Sequence, residues 1–247
     1  MVFQTQGLAL RSGIGVSSHD SLRVVFIDDG GVLNDNHARA PQWRRLLGEY
    51  FVPRLGGTPE AWAAANVGAF ERSWARFVAR LAQAGESGGV DRWVREERAR
   101  WLRDMCDQVG VASPDDAESS GIAASVWVSE RVKSEIPGAV DAVRQLAHSG
   151  LVLHTASGGL SWELDPYLRG MGIRQHFDRL YGPDLVDRYK NGPHYHAAIL
   201  ADSGSDPAHA AVVDDSAEAR AWASAVGMRS FVSLPEVVAA LLSQRSF

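Results

Sequence analysis

The sequence predicts an α/β protein in which a parallel sheet is interrupted, after its first strand, by an all-helical segment. Three observations carry this. Residues 22–27 (LRVVFI) form a short apolar, β-branched run that ends in Asp28-Asp29-Gly30-Gly31, the pattern of a buried strand and a tight loop. Residues 36–134 then repeat apolar side chains at helical spacing with no strand between them. After Pro137-Gly138, short apolar runs alternate with helical ones, which implies parallel strands joined by right-handed crossovers.

The elements follow in order. Within the helical block, Trp43, Leu46, Leu47, Tyr50 and Phe51 share one spacing pattern. So do Phe70, Trp74, Phe77, Val78 and Leu81, and then Val94, Trp101, Leu102, Met105 and Cys106. The Pro-Arg-Leu-Gly-Gly stretch at 53–57 and the Gly-rich stretch at 85–89 punctuate these helices. Six of the eight tryptophans lie in the block, and helix-packing core is the expected use of that excess. Beyond it, helices are expected over 139–148, 160–171, 194–201, 216–226 and 235–242. Strands are expected over 151–155, 177–181, 210–213 and 229–232. The resulting organisation is a tail over 1–20, a core from 21–35 and 135–247, and a helical insertion over 36–134.

Composition narrows the class. The chain has 247 residues, 45% of them hydrophobic, and a net charge of -5, which excludes a disordered chain and permits a sizeable core. The mild acidity argues against nucleic acid or anionic membrane as a partner. No apolar run reaches the roughly 18 residues of a bilayer span. Cys106 is the single cysteine, so no intrachain disulfide forms, and its apolar helix face makes packing its default role. The first twenty residues lack a basic region and a long apolar region, so no secretory signal is read there and a cytoplasmic location is expected. Lys133 and Lys190 are the only lysines among 25 basic residues, which singles each out.

Ligands of open parallel sheets bind beyond the carboxyl ends of the strands. The residues placed there are Asp28, then Thr155 with Ala156, Ser157, Gly158 and Gly159, then Asp214 and Asp215, with Lys190 in a polar loop before a helix. Carboxylates on two adjacent strand ends repel unless a cation lies between them, and an all-oxygen donor set suits Mg²⁺ with a phosphorylated small molecule. Thr155 and the backbone N–H groups of Ala156 and Ser157 would cradle phosphoryl oxygens. Lys190 would add a point charge, and Asp28 would attack phosphorus. Each residue alone also reads as a turn, a cap or a solvated side chain. As an ordered set at four strand–loop junctions they favour a site.

This set resembles the haloacid dehalogenase-like (HAD) hydrolase superfamily, in the branch with a helical cap inserted after the first motif. The resemblance spans about residues 22–242. It rests on VVFIDDGGVLND, on LVLHTAS after Pro137-Gly138, on Lys190 with Gly192-Pro193, and on VVDDSAEARAWASAVGM. It implies a Rossmann-like core under an all-helical cap domain, with Asp28 as nucleophile, Thr155 as phosphate-binding hydroxyl and Lys190 as the neutralising ammonium. It also implies Mg²⁺ held by Asp28, the Gly30 carbonyl, Asp215 and Asp214. Gly30, Gly31, Ala156, Ser157 and Arg44 are the substrate-binding candidates, with Arg45 beside Arg44.

One departure stands out. Where the family's phosphatases carry a second Asp as general acid/base, this chain has Gly30. The metal site survives in this reading, because that position offers a carbonyl. The acid step, typically about 10² to 10⁴ in rate, is what suffers. A good leaving group, a substitute acid (Asp29, Asp35, His37 or a cap residue), or a protein that binds phosphate ligands with little turnover would each fit. Phosphonate cleavage is disfavoured because the only cap lysine, Lys133, sits at the linker. A haloacid dehalogenase is a minor alternative, since Asp214 and Asp215 have no task in metal-free halide displacement. His194 and His196 follow Lys190 and are expected to serve the surface or a cap rather than the site.

Overall fold

A computed structural model describes residues 22–83 and 89–244. The expected tail over 1–20 and most of the Gly-rich stretch at 85–89 lie outside the described residues. Five parallel strands form one sheet in the order β3-β2-β1-β4-β5: β1 (Val24–Ile27), β2 (Val152–Ala156), β3 (Leu180–Tyr181), β4 (Ala210–Val213) and β5 (Arg229–Phe231). β1 is central. Its register pairs Ile27 with Thr155 on one side and with Val213 on the other.

Strand alternation sorts β1 into two cores. Val25 and Ile27 join Leu146, Leu153, Leu168 and Val237 on one face. Val24 and Phe26 join Tyr181, Tyr195, Ile199 and Val212 on the other. All four β1 residues are buried, as a parallel strand covered on both sides requires. Helices α5 (Ala139–His148), α6 (Ser161–Gly170), α7 (Pro183–Val186), α8 (Pro193–Ser203), α9 (Ala217–Ala225) and α10 (Leu234–Gln244) complete this layer. The third strand is shorter than expected: residues 174–176 take a 3-10 turn and only Leu180–Tyr181 pair with β2.

Among the described residues, four helices lie between β1 and α5: α1 (Asn36–Leu55), α2 (Pro59–Gln83), α3 (Val90–Val109) and α4 (Ala117–Arg131). They enclose their own core, in which Phe51 stacks on Trp62 at 4.6 Å amid Leu47, Leu102 and Met105. Cys106 is buried there, and burial raises its thiol pKa, in keeping with packing rather than reactivity. α1 runs through Pro53 and stops at Gly56, whose φ of 82° suits glycine. The expectation that the α2 aromatics pack in a core fails in part. Phe70, Trp74 and Val78 are 62%, 56% and 50% exposed, because α2 meets α1 and α3 on its other face.

The two linkers of this cap run side by side. Asp35 N–H donates to the Ser134 carbonyl (2.7 Å), Ile136 N–H to Leu33 (2.8 Å), and the Ser134 hydroxyl to Asn34 Oδ1 (2.8 Å). Two strand-like crossings pinned together fix where the cap sits over the sheet. Among the described residues no helix is long and apolar enough to cross a membrane.

Candidate active site

The central strand β1 connects onward to β2 on one side, while β4 lies on the other. Asp28 and Asp214 therefore end neighbouring strands at the point where the chain order reverses, the usual ligand crevice of such sheets. Asp28 is anchored by its N–H donating to Val213 (2.9 Å). Asp214 is anchored by its N–H to Phe231 (3.1 Å), and its Oδ1 accepts from Ser216 N–H (2.9 Å). Lys190 Nζ lies between the two carboxylates, 3.0 Å from Asp28 and 2.6 Å from Asp214, and donates to the Ala156 carbonyl at 2.8 Å.

Charge and burial compete here. Burial pushes the Asp28 carboxyl up to about 6, against the pull of Lys190, with Asp214 and Asp29 adding to the rise. For Lys190, burial opposes the ammonium, but the two carboxylates outweigh it and hold its pKa above the usual lysine value. Asp28, Asp214 and Asp215 each bring a carboxylate oxygen within 4.8 Å of the others, the one such acidic group among the described residues with metal-ligand spacing. Asp28 and Asp214 are buried and Asp215 is exposed. The approach depends on Gly31: a Cβ there would fall 2.1 Å from Asp215 Oδ2, and its φ is 84°. An all-oxygen set with buried carboxylates fits a hard divalent cation. The Gly30 carbonyl stays out of the turn's backbone hydrogen bonds.

The structure corrects several expectations. Thr155 is not at the rim. Its register with Ile27 keeps it inside β2, fully buried, with its hydroxyl donating to the Tyr181 carbonyl (3.1 Å). Ser157 is the first hydroxyl past the strand, and its Oγ accepts from Gly159 N–H at 3.0 Å. Ala156 serves through its carbonyl, which holds Lys190. The Gly31 N–H is spent on Asn34 (2.8 Å), so Gly31 makes room for Asp215 instead of cradling a ligand. Arg44 is exposed on α1, and neighbouring Arg45 pairs with Glu49.

The candidate substitute acids are also placed. Asp29 accepts from Asn34 Nδ2 (2.6 Å) and from Arg39 (2.6 Å), so both its oxygens are already engaged. Asp35 caps α1 by accepting from His37 and Ala38 N–H, and His37 is exposed. Lys133 donates to the Gly170 carbonyl. His194 lies against the Tyr189 carbonyl (3.2 Å), and His196 is fully buried behind the site.

Sequence reasoning missed Arg39, Asn36 and Tyr167. Arg39 reaches from α1 to Asp29 and lies over the Tyr167 ring at 5.2 Å. A Cβ on Gly30 would meet Asn36 Nδ2 at 2.9 Å and Arg39 at 3.3 Å, so these side chains fill the space that a side chain at position 30 would take. Burial pushes the Tyr167 hydroxyl up to about 12, and it accepts from the Trp43 indole of the cap. One signal was available: Arg39 stands one helical turn after the Asp35 cap, on the face that looks back at the loop.

A family model for the haloacid dehalogenase-like hydrolases matches residues 22–226. The chain belongs to that family. It is a hydrolase with the family's parallel sheet and helical cap. No curated protein matches the chain. Among solved structures, the defluorinating L-2-haloacid dehalogenase Rha0230 is similar with a TM-score of 0.61 at 16% identity, covering 85% of this chain and 80% of that one. The L-2-haloacid dehalogenase RSc1362 gives 0.54 at 22% identity, over 85% and 86%. The magnesium-bound putative HAD-hydrolase YfnB from Bacillus subtilis gives 0.55 at 17% identity, again over 85% and 86%. At these identities the likeness is one of fold.

Proposed function

We propose that this hydrolase cleaves a small phosphorylated metabolite through an aspartyl-phosphate on Asp28, with Mg²⁺ as cofactor. The observation that carries the reading is the triad of carboxylates, Asp28, Asp214 and Asp215, converging within 4.8 Å beside Lys190. Asp28, Asp214, Asp215 and the Gly30 carbonyl would hold the ion. When bound, it would neutralise phosphoryl charge as a Lewis acid. Asp28, ionised above about pH 6, attacks phosphorus, and the bond from phosphorus to the leaving oxygen breaks. The departing oxygen keeps the electron pair and takes a proton from solvent. Lys190 steadies the charge on the transferring group. Water then hydrolyses the acyl phosphate, giving phosphate and the free carboxylate. The cap, tied to the core through Arg39–Asp29 and Trp43–Tyr167, excludes bulk water and selects the substrate.

A second reading, displacement of halide from a small haloacid, draws on the same geometry. Gly30 carries no acid and Arg39 lies where one would stand, and halide departure needs no protonation. The fold is also shared with L-2-haloacid dehalogenases. One experiment separates the two. Phosphate release from a panel including acetyl phosphate and p-nitrophenyl phosphate, and halide release from L-2-chloropropionate, are followed with Mg²⁺ and with EDTA. Phosphate release that needs Mg²⁺ and disappears in Asp28→Asn supports the first reading. Halide release that survives EDTA replaces it with the second. Ligand binding with no turnover of either class overturns both in favour of a binding protein.

A further inference from the structure

A cleft of about 280 Å³ opens between the cap and the loop that follows β2. Its walls are aromatic: Trp74 and Phe77 from α2, Trp93 and Trp101 from α3, and Tyr189 from the core. The rings form a chain across the domain boundary. Phe77 lies 5.5 Å from Trp74, 6.0 Å from Trp93 and 5.7 Å, edge-on, from Tyr189. The cleft is lined by chain neighbours of the site residues: Gly158 and Gly159 on its floor follow Ser157, and Tyr189 directly precedes Lys190.

The carboxylates of this cleft are already matched. Glu97 pairs with Arg76 (2.7 Å) and Arg100 (2.6 Å), and Arg98 pairs with Glu163. Both carboxylates of the cleft are thereby neutralised, and one charged donor remains, the buried Arg98 Nε, which has no partner among the described residues. The buried Tyr189 hydroxyl also has no hydrogen-bond partner among the described residues. Buried polar groups without partners are rare and mark places where a ligand or water completes the bond. Trp74, 56% exposed over this cleft, is likewise a large apolar surface without a cover.

We propose that the cleft is the leaving-group subsite and that the substrate is an aryl phosphate. This rests on the phosphatase reading of Asp28. An apolar cavity of about 150 Å³ is enough for benzene, so this space holds one substituted ring or a fused pair. The ring faces give offset and edge-to-face partners for it. The same class answers the missing acid. A phenol has a pKa of about 10, against about 16 for water, so an aryloxide departs without a proton donor while an alkoxide needs one. Gly30 and the aromatic cleft are independent features, and both point to the same leaving group.

The test compares 2-naphthyl phosphate with acetyl phosphate, two substrates with good leaving groups and different bulk. In Trp74→Ala the ratio of kcat/KM for the naphthyl over the acetyl substrate is expected to fall about tenfold. Trp74 is exposed enough for the variant to fold, and a Phe77→Leu variant provides a second reading of the same ratio. Binding of 2-naphthyl phosphate to the Asp28→Asn protein, measured by calorimetry, is expected to weaken by a similar factor when Trp74→Ala is added. Turnover of both substrates with an unchanged ratio in both variants overturns the subsite and leaves the phosphatase reading standing. Tryptophan-dependent naphthyl binding with no turnover of any phosphate overturns the phosphatase reading and keeps the subsite. A concentration-dependent dimer that Trp74→Ala abolishes, with the ratio unchanged, identifies the exposed aromatics as a contact between copies and overturns the proposal.

Discussion

Arg39 of the cap and Asp29 of the core form a 2.6 Å ion pair one residue beyond the candidate nucleophile. The Asp29 side chain is 7% exposed and that of Arg39 19%, so the pair is largely withdrawn from water. The bridge couples cap position to the loop that presents Asp28. Arg39→Ala leaves Asp29 with Asn34 as its remaining side-chain partner. Removing one member of a buried pair costs about 3 to 5 kcal/mol, and the partial exposure of Arg39 reduces this to roughly 2 to 3 kcal/mol. Urea unfolding of the two proteins measures it. A loss within a few tenths of a kcal/mol means the pair does not tether the cap.

Lys190→Met removes the positive charge that lowers the Asp28 pKa. Two effects are expected together. kcat falls by about 10² or more, as with other preorganised charge stabilisers. The acid limb of the rate profile moves to higher pH, because Asp28 now needs a more alkaline solution to ionise. A fall in rate with an unmoved acid limb places Lys190 on the substrate alone.

If the site binds Mg²⁺ as proposed, its affinity is expected to depend on pH through the same carboxyl. With Asp28 at about 6 in the metal-free protein, ion binding displaces a proton below that pH. Calorimetric affinity is expected to be nearly flat above pH 7 and to fall by about tenfold per unit below 6. Asp215→Ala, an exposed site, weakens binding without unfolding the protein. Affinity independent of pH, or insensitive to Asp215→Ala, moves the ion elsewhere.

Gly30→Asp tests the missing acid. The Cβ of the new side chain first meets the ends of the Asn36 and Arg39 side chains, not backbone. Arg39 beside it holds the new carboxyl ionised, so the single variant is expected to gain little on alkyl phosphates. Gly30→Asp with Arg39→Gln is expected to gain about 10-fold or more, within the usual range for an acid/base. A full gain in the single variant removes Arg39 from the argument.

His196 sets a pH dependence of stability. It is fully buried with neither ring nitrogen partnered among the described residues, and burial, helped by Lys190, pushes it down to about 4. The unfolded chain binds a proton near 6.5, so this contribution is intact above 6.5 and is lost as pH falls toward 4. A shift of that size amounts to about 3 kcal/mol. His196→Leu should lose less thermal stability than wild type between pH 7.5 and 4.5. Equal losses mean other groups govern acid unfolding.

The order of elements was legible because strand runs such as VVFI and AAVV are continuously apolar, the mark of a doubly covered parallel strand. Asp28, Asp214 and Lys190 could be read because each stands at a strand or loop end, where chain direction alone brings it to one edge. Thr155 misled because a hydroxyl near a strand end is placed by register, and a single residue of offset turns a rim group into a buried one.

By itself, then, the sequence determined the alternating α/β core, the helical insertion, and the carboxylates and lysine that share a site, since periodicity and strand termini are local properties of the chain. Only the tertiary structure decided that Arg39 and Asn36 fill the space at Gly30, that Tyr167 grips the cap, and that Trp74 overhangs a cleft while Trp62 lies in a core. Those outcomes depend on which face of a helix meets a partner distant in sequence, and helical spacing is the same for either face.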